Sequence, residues 1–323
     1  MTGAVSGSDA SSPDSSGILE IQSTPVVASA TPGLLTEGPR WHAERGELLW
    51  VDILGQKLHR GRPAVSGGLD SVETYTLDRP VGAVAPTSGG YLLAAGTGFL
   101  HLSEAGVTRE LAQPEAGRTD VRMNDGACDP QGRFWAGTMA YDESPGAGVL
   151  YRLELDGSCT PVLSGLTISN GIGWSPDGTT MYLADSGTGC VDAFEFDGAT
   201  GTLSGRRTLI SVGEARAVPD GLTVDGEGAI WLALWGGGTV QRHAPDGSLL
   251  ARLPLPVDRP TSCAFGGDGL ATLFVTTART GLDEAALARQ PAAGQVFRFD
   301  DVGATGIPCM PYRGRIDIPA SDA

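Results

Sequence analysis

The sequence predicts an all-β protein, a six-bladed β-propeller with four antiparallel strands per blade and its ring closed by an N-terminal strand. Two observations carry this expectation. The chain holds 48 glycines and 21 prolines, punctuation that suits many short strands and tight turns and leaves little room for long helices. One apolar, strand-like pattern also recurs six times at a nearly constant step.

The copies are Glu47–Asp52 (ELLWVD), Tyr91–Ala95 (YLLAA), Arg133–Thr138 (RFWAGT), Thr180–Asp185 (TMYLAD), Ala229–Leu234 (AIWLAL) and Thr272–Thr277 (TLFVTT). Between Trp50, Leu92, Trp135, Tyr182, Trp231 and Phe274 the steps are 42, 43, 47, 49 and 43 residues, the length of a four-stranded blade. Each copy follows a turn rich in Gly with Asp or Pro, such as Asp129–Gly132 (DPQG) or Asp225–Gly228 (DGEG). An alternating segment comes next, for example Val149–Leu153 or Thr239–His243, as a half-exposed strand requires. A more polar fourth segment follows, such as Glu73–Leu77 or Leu249–Leu253. The last repeat lacks a clear fourth strand after Phe299, while Thr24–Ser29 has no blade of its own. That early segment is expected to complete the last blade and remove two exposed sheet edges. Leu282–Arg289 is the one expected helix. Residues 1–17, rich in Ser, Gly and Asp, are expected to form a disordered tail, and residues 18–323 a single propeller domain.

Composition excludes several function classes. The formal net charge is −16, with 22 Lys and Arg against 38 acids and no basic stripe, so no nucleic-acid partner is expected. Lys57 is the sole lysine, which argues against Schiff-base chemistry. The five cysteines (Cys128, Cys159, Cys190, Cys263 and Cys309) include no CxxC pair, which argues against a disulfide framework or a thiolate zinc site and for reduced thiols. The N-terminus has no basic or apolar signal region, and no apolar run nears the roughly 20 residues of a membrane helix. No membrane association is expected, and the expected compartment is cytoplasmic.

The chemistry gathers at the blade entrances. Before each hairpin turn lies a short strand, by position the innermost of its blade. Five of these strands carry a glycine in register: Gly38, Gly82, Gly126, Gly171 and Gly221. The residues just before them are Glu37, Val81, Asp125, Asn170 and Asp220, with Asn124 one step earlier; the sixth entrance reads Arg259–Ser262 (RPTS). Equivalent positions in a propeller converge on one end of the channel. Several carboxylate and amide oxygens around one point repel one another unless a cation sits between them, and calcium, magnesium and manganese all favour such ligands. Glu37, Asn170 and Asp220 are therefore the expected ligands of one divalent ion, with Asp125 a further candidate. Asp156, Asp177, Asp197, Asp246 and Asp268, each before a glycine, are read as ordinary turn residues. Glu37, Asn170 and Asp220 differ because each precedes a strand that ends in a separate turn.

The stretches TEGPRW (36–41), RMNDG (122–126), RFWAGTM (133–139), SNGIGW (169–174), PDG (219–221), LPVDRPTSC (255–263) and RQPAAG (289–294) resemble the gluconolactonase, regucalcin and senescence-marker-protein family. The resemblance spans about Gly33 to Gly314. It implies a lactonase on a six-bladed propeller, tolerant of calcium, zinc, manganese or iron. Carried over by position, Glu37, Asn170 and Asp220 match the metal ligands, and Asp220 also matches the catalytic acid/base. Arg122 and Asn124 match contacts to the sugar lactone, as does Asp142, where well-known members carry the longer Glu. The expected partner is a small aldonolactone, acted on by a monomer or weak homodimer.

Other readings start from the same residues. A hydrolase of less polar lactones or phosphotriesters needs an apolar pocket wall; a calcium-binding regulatory propeller needs no turnover; a metal-free propeller resembling strictosidine synthase would not need the carboxylate and amide set. His42, His59, His101 and His243 share no ligand spacing, Ser186 has no GxSxG elbow and is read as a blade turn, and Trp235 is a candidate pocket wall.

Overall fold

The computed structural model describes residues 18–64, 67–214 and 216–316, so the expected tail through residue 17 lies outside the described residues. Six sheets form, in the expected order. Blade 1 comprises Thr36–His42, Glu47–Asp52, Lys57–Pro63 and Leu69–Thr76, and each following blade repeats the antiparallel meander. The innermost strands of blades 2 to 6 are Val81–Thr87, Val121–Cys128, Ser169–Trp174, Val218–Val224 and Pro260–Gly266. The last blade takes its outer strand from the N-terminus: Val26–Ser29 pairs antiparallel with Val296–Phe299. The ring is also tied across the seam, where Gly33 N donates to Gly294 O at 2.8 Å and Thr261 Oγ1 to Thr36 O at 2.6 Å.

The central residues of the second strands are mostly apolar because each strand is covered on both faces. In ELLWVD the alternation sends Leu49 and Val51 toward blade 2, where they meet Val81, Val84 and Leu93. Leu48 and Trp50 point the other way, against Phe274 and Val296 of blade 6. The same division recurs around the ring, giving an apolar cluster at each of the six blade junctions. Two of the turn aspartates do more than shape hairpins. Asp225 is wholly buried; it accepts from Glu227 N, Ala229 N and Arg242 Nε, and from the core indole Trp231 Nε1 at 2.9 Å. Asp129 does the same for Trp135 Nε1 and Arg133 Nε. The exposed turn residues Asp156, Asp177, Asp197 and Asp246 accept only local bonds, from Ser158, Thr179, Ala199 and Ser248 backbone N–H groups among them.

Three features lie beyond the sequence expectation. Leu19–Glu20 adds a short parallel fifth strand to blade 5, beside Ala251 and Arg252. The helix spans Glu284–Arg289, two residues shorter than expected, because the Asp283 carboxylate accepts from Ala286 N at 2.7 Å and caps it there. The C-terminal segment runs under the far end of the channel, with Gly226 N donating to Thr305 O, Tyr312 N to Pro86 O and Arg313 N to Gly132 O. Residues 307–310 thus form part of an apolar cavity of about 330 Å³ at that end, which Trp41 and Trp174 also line. Among the described residues no helix is long and apolar enough to cross a membrane.

Candidate functional site

A shared irregularity aims the site residues. All six innermost strands break register near their entrance: between Glu37 and Arg40, Val81 and Ala83, Met123 and Gly126, Ser169 and Ile172, Pro219 and Leu222, and Pro260 and Ser262. A bulge leaves extra residues unpaired with the neighbouring strand and turns their side chains out of the pleat. Asn124, Asp125, Asn170 and Asp220 all sit inside such a break, and Glu37 at the edge of one. Two of the in-register glycines, Gly82 and Gly171, follow from the close approach of adjacent innermost strands, while Gly38 is set by its positive φ of 53°. A Cβ on Gly82 would stand 1.9 Å from Asn124 O, and one on Gly171 2.6 Å from Asp220 O. The innermost strands of adjacent blades approach too closely for any side chain there.

The result is a cavity of about 580 Å³ at the entrance end of the channel. Glu37, Arg122, Asn124, Asn170 and Asp220 form its polar part. Each of these five side chains is largely buried, at 5–6% exposure. Glu37 Oε2 accepts from Gly38 N at 2.8 Å. Arg122 Nη1 donates to Asn124 Oδ1 at 2.6 Å, and Asn124 Nδ2 donates to Ser169 O at 2.9 Å. Asn170 Nδ2 donates to Ser186 Oγ at 3.0 Å. Asn170 Oδ1 and Asp220 Oδ1 are buried without a hydrogen-bond partner, as is Asp125 Oδ2.

The electrostatics follow from that burial. Loss of solvent, and then the Asp125 charge, push Glu37 up to about 8, against the pull of Gly38 N–H, Arg40 and Arg122. Burial raises Asp220 well above the carboxylate range, with Glu37 and Asp125 adding to it. Burial also raises Asp125, opposed by Arg40, whose guanidinium reaches it at 3.5 Å. Desolvation lowers the Arg122 guanidinium from its ordinary value. Among the described residues no three His, Cys, Asp or Glu side chains gather into a metal cluster. A cation site here thus depends on the Asn170 amide beside Glu37 and Asp220. The donor set fits a hard divalent ion. Its oxygens are desolvated, and two of them lack any protein partner.

Asp142 is not brought into this site. Its carboxylate is exposed and accepts from Ser144 N and Ser144 Oγ at 3.0 and 2.6 Å, closing a local turn. The next residue, Glu143, held at a positive φ of 57°, lines the cavity instead. Asp142 stands three residues after Met139, but the turn conformation, not the distance along the chain, decides which neighbour faces inward. Ser186, read as a plain turn residue, does begin a short turn, but its hydroxyl lines the cavity and contacts Asn170. Trp235 lines the cavity as expected, with the Arg259 guanidinium 5.0 Å from its ring centroid. None of the four histidines lines it. The walls above the polar floor include Leu35, Leu54, Met139, Ile168 and Val218, which carry no periodic signal because they come from loops and strand margins.

A six-bladed propeller with a carboxylate–amide pocket at one end of its channel is the class the fold and site define. Residues 35–279 match the family described as the SMP-30/gluconolactonase/LRE-like region. The chain belongs to this family. It is 40% identical over 287 residues to a regucalcin of Oryctolagus cuniculus, an alignment covering 86% of this chain and 94% of the relative. Its fold matches a crystal structure described as a calcium-binding protein, regucalcin, from Agrobacterium tumefaciens, with TM-score 0.85, 32% identity, and coverage of 90% of this chain and 98% of that one. It also matches a luciferin-regenerating enzyme, with TM-score 0.82, 29% identity, and coverage of 90% and 100%.

Proposed function

We propose that the protein is a metal-dependent lactonase that opens a sugar lactone, an aldonolactone of five or six carbons, to the aldonic acid. The observation that carries this reading is the pair of buried, unpartnered oxygens, Asn170 Oδ1 and Asp220 Oδ1, beside Glu37 on the floor of a ligand-sized cavity. Glu37, Asn170 and Asp220 would hold one divalent ion. When bound, such an ion supplies Lewis acidity toward the acyl oxygen and acidifies water. The family relationship and the calcium-binding description of the Agrobacterium relative support the same reading.

The chain's own groups supply the rest. Ring opening adds water across the acyl C–O bond: a water oxygen bonds to the acyl carbon, the ring C–O bond breaks, and the ring oxygen leaves with a proton. Asp220 is the proposed base. Burial and neighbouring carboxylates raise its proton affinity, and coordination would lower it, so the two influences oppose each other at this carboxylate. Arg122 offers fixed N–H donors to substrate oxygens, and Asn124, its Oδ1 and Nδ2 already engaged, holds that guanidinium in place. Glu143, rather than Asp142, is the proposed acceptor for a substrate hydroxyl.

The apolar walls favour a second reading, hydrolysis of less polar lactones, because the side chains of Leu35, Leu54, Ile168 and Val218 offer no hydrogen bonds to a polyol. One experiment separates the readings: hydrolysis of sugar, alkyl and aryl lactones followed by pH indicator, with EDTA and metal add-back. Metal-dependent acidification with aldonolactones is the expected result. Activity confined to alkyl or aryl lactones would select the second reading. No hydrolysis of any lactone, despite metal binding, would leave a calcium-binding propeller.

A further inference from the structure

Ser186 opens the short turn Ser186–Thr188 after the second strand of blade 4. Its side chain is buried between Asn170, assigned above to the metal, and Pro219, the residue before Asp220. Pro219 O lies 2.7 Å from Ser186 Oγ, and the Asn170 amide lies 3.0 Å from it. A hydroxyl has one proton to donate. A carbonyl oxygen only accepts, so that proton goes to Pro219, and Ser186 Oγ has only lone pairs to offer Asn170. The Asn170 atom facing Ser186 is therefore the nitrogen. Its Oδ1 is turned to the opposite side, where it is buried with no protein partner. This reasoning fixes an amide orientation that the shape of an asparagine side chain alone leaves open.

We propose that Ser186 is the positioning residue of the metal centre. Its hydroxyl holds the Asn170 amide with oxygen toward the cation and, through Pro219, anchors the peptide that carries Asp220. The inference rests on the metal reading of the cavity. One hydroxyl links two blade entrances: Asn170 lies in the bulge of blade 4, and Pro219 directly precedes Asp220 in the bulge of blade 5. Without that hydroxyl the amide keeps only its contact with the Asp220 carboxylate and can turn by half a rotation to present its NH2 group, which cannot ligate a cation. Contacts that orient a ligand from behind are worth roughly 10–100-fold in metal affinity.

The test is calorimetric titration of the full chain with calcium alone and with manganese alone. Wild type, Ser186→Ala, Asn170→Asp and the double variant are compared. A carboxylate at position 170 presents an oxygen in either orientation, so it removes the need for an orienting partner. Ser186→Ala is expected to weaken binding roughly 10–100-fold in the native background and less than about threefold in the Asn170→Asp background. Equal losses in both backgrounds, or none in the native one, would overturn the assignment, because a merely structural serine does not distinguish them. If Asn170→Asp binds neither ion, Ser186→Thr, which keeps the hydroxyl, is expected to stay within about threefold of wild type, and a loss equal to that of alanine would overturn the assignment. If Ser186→Ala does not fold, Ser186→Cys takes its place with the same expected background dependence. A wild type that binds neither ion overturns this inference together with the metal reading. Normal binding by Ser186→Ala overturns only the role of Ser186.

Discussion

With the proposed ion removed at neutral pH, the buried carboxylates of Glu37, Asp125 and Asp220 repel one another, and the cost should appear as a pH-dependent loss of stability. Glu37 ionises at about 8 in the folded chain against 4.5 for the free carboxyl. A raised carboxyl pKa means that the folded state binds the proton more tightly than the unfolded state. The stabilisation is then fully present below 4.5 and is lost as pH rises through about 8. Across the two pH units from about 5.5 to 7.5 the loss is on the order of 3 kcal/mol at about 1.4 kcal/mol per unit, which at roughly 2 °C per kcal/mol lowers Tm by about 6 °C. Asp220, shifted in the same direction by the same burial, adds to the slope. The assay is thermal unfolding after EDTA treatment at steps across that range, repeated with excess calcium and with Glu37→Gln. The slope should flatten with the ion bound, because the cation favours the charged carboxylates, and Tm should rise most at the alkaline end. Glu37→Gln keeps an acceptor for Gly38 N and removes the titrating group, so its metal-free Tm should vary less with pH. A metal-free wild type with flat Tm, or a Glu37→Gln slope equal to wild type, would refute the reasoning.

Three further outcomes are expected. Asp220→Asn should lower kcat by roughly 10³-fold or more on whichever lactone the wild type opens; a near-normal kcat with metal bound, measured by pH indicator, would remove Asp220 as the base. Gly82→Ala should cost about 2–3 kcal/mol in chemical denaturation, since its Cβ would stand 1.9 Å from Asn124 O where two innermost strands meet. Asp225→Ala, which strands Trp231 Nε1 and the Arg242 guanidinium, should cost roughly 3–5 kcal/mol by the same measurement, while Asp246→Ala in an exposed turn should cost less than about 1 kcal/mol.

The ring was legible in the chain because a propeller repeats one physical problem six times. Every second strand is covered on both faces, so ELLWVD and TMYLAD carry apolar side chains on both parities, and the repeat shows itself at blade period. The closing strand was legible by subtraction, since the last blade was one strand short and Val26–Ser29 had no other partner. Leu19–Glu20 and the C-terminal strap were not, because both lie outside the repeat: backbone bonds such as Ile21 N to Arg252 O and Tyr312 N to Pro86 O and apolar anchors such as Ile21 and Tyr312 hold them, and neither has a period to show itself. The buried role of Asp129 and Asp225 was hidden for a related reason: a turn aspartate and an indole acceptor are the same residue type, and only the tryptophan six positions later distinguishes them from Asp156.

The site divides along the same line. Glu37, Asn170 and Asp220 could be picked out because they occupy equivalent entrances, and the fold's symmetry turns a sequence position into a direction. Arg122 and Asn124 stand on the same kind of strand and share that advantage. Asp142, Glu143 and Ser186 lie in connections whose lengths and turns differ from blade to blade, so counting along the chain predicts neither facing nor depth. Asp142 turned outward to bond Ser144, and Ser186 turned inward to bond Asn170. The bulge shared by all six innermost strands explains why symmetry brought the proposed ligands into one cavity. It recurs at the entrance of every blade, and in blades 3, 4 and 5 it turns Asn124, Asn170 and Asp220 toward the cavity, whereas Thr261 in blade 6 bonds Thr36 O and Thr276 Oγ1 instead. With Val81 packed in the core between blades 1 and 2 and Asp220 on the cavity floor, the residue type at each entrance would decide where around the axis a cation can be held, while the loops above decide what reaches it.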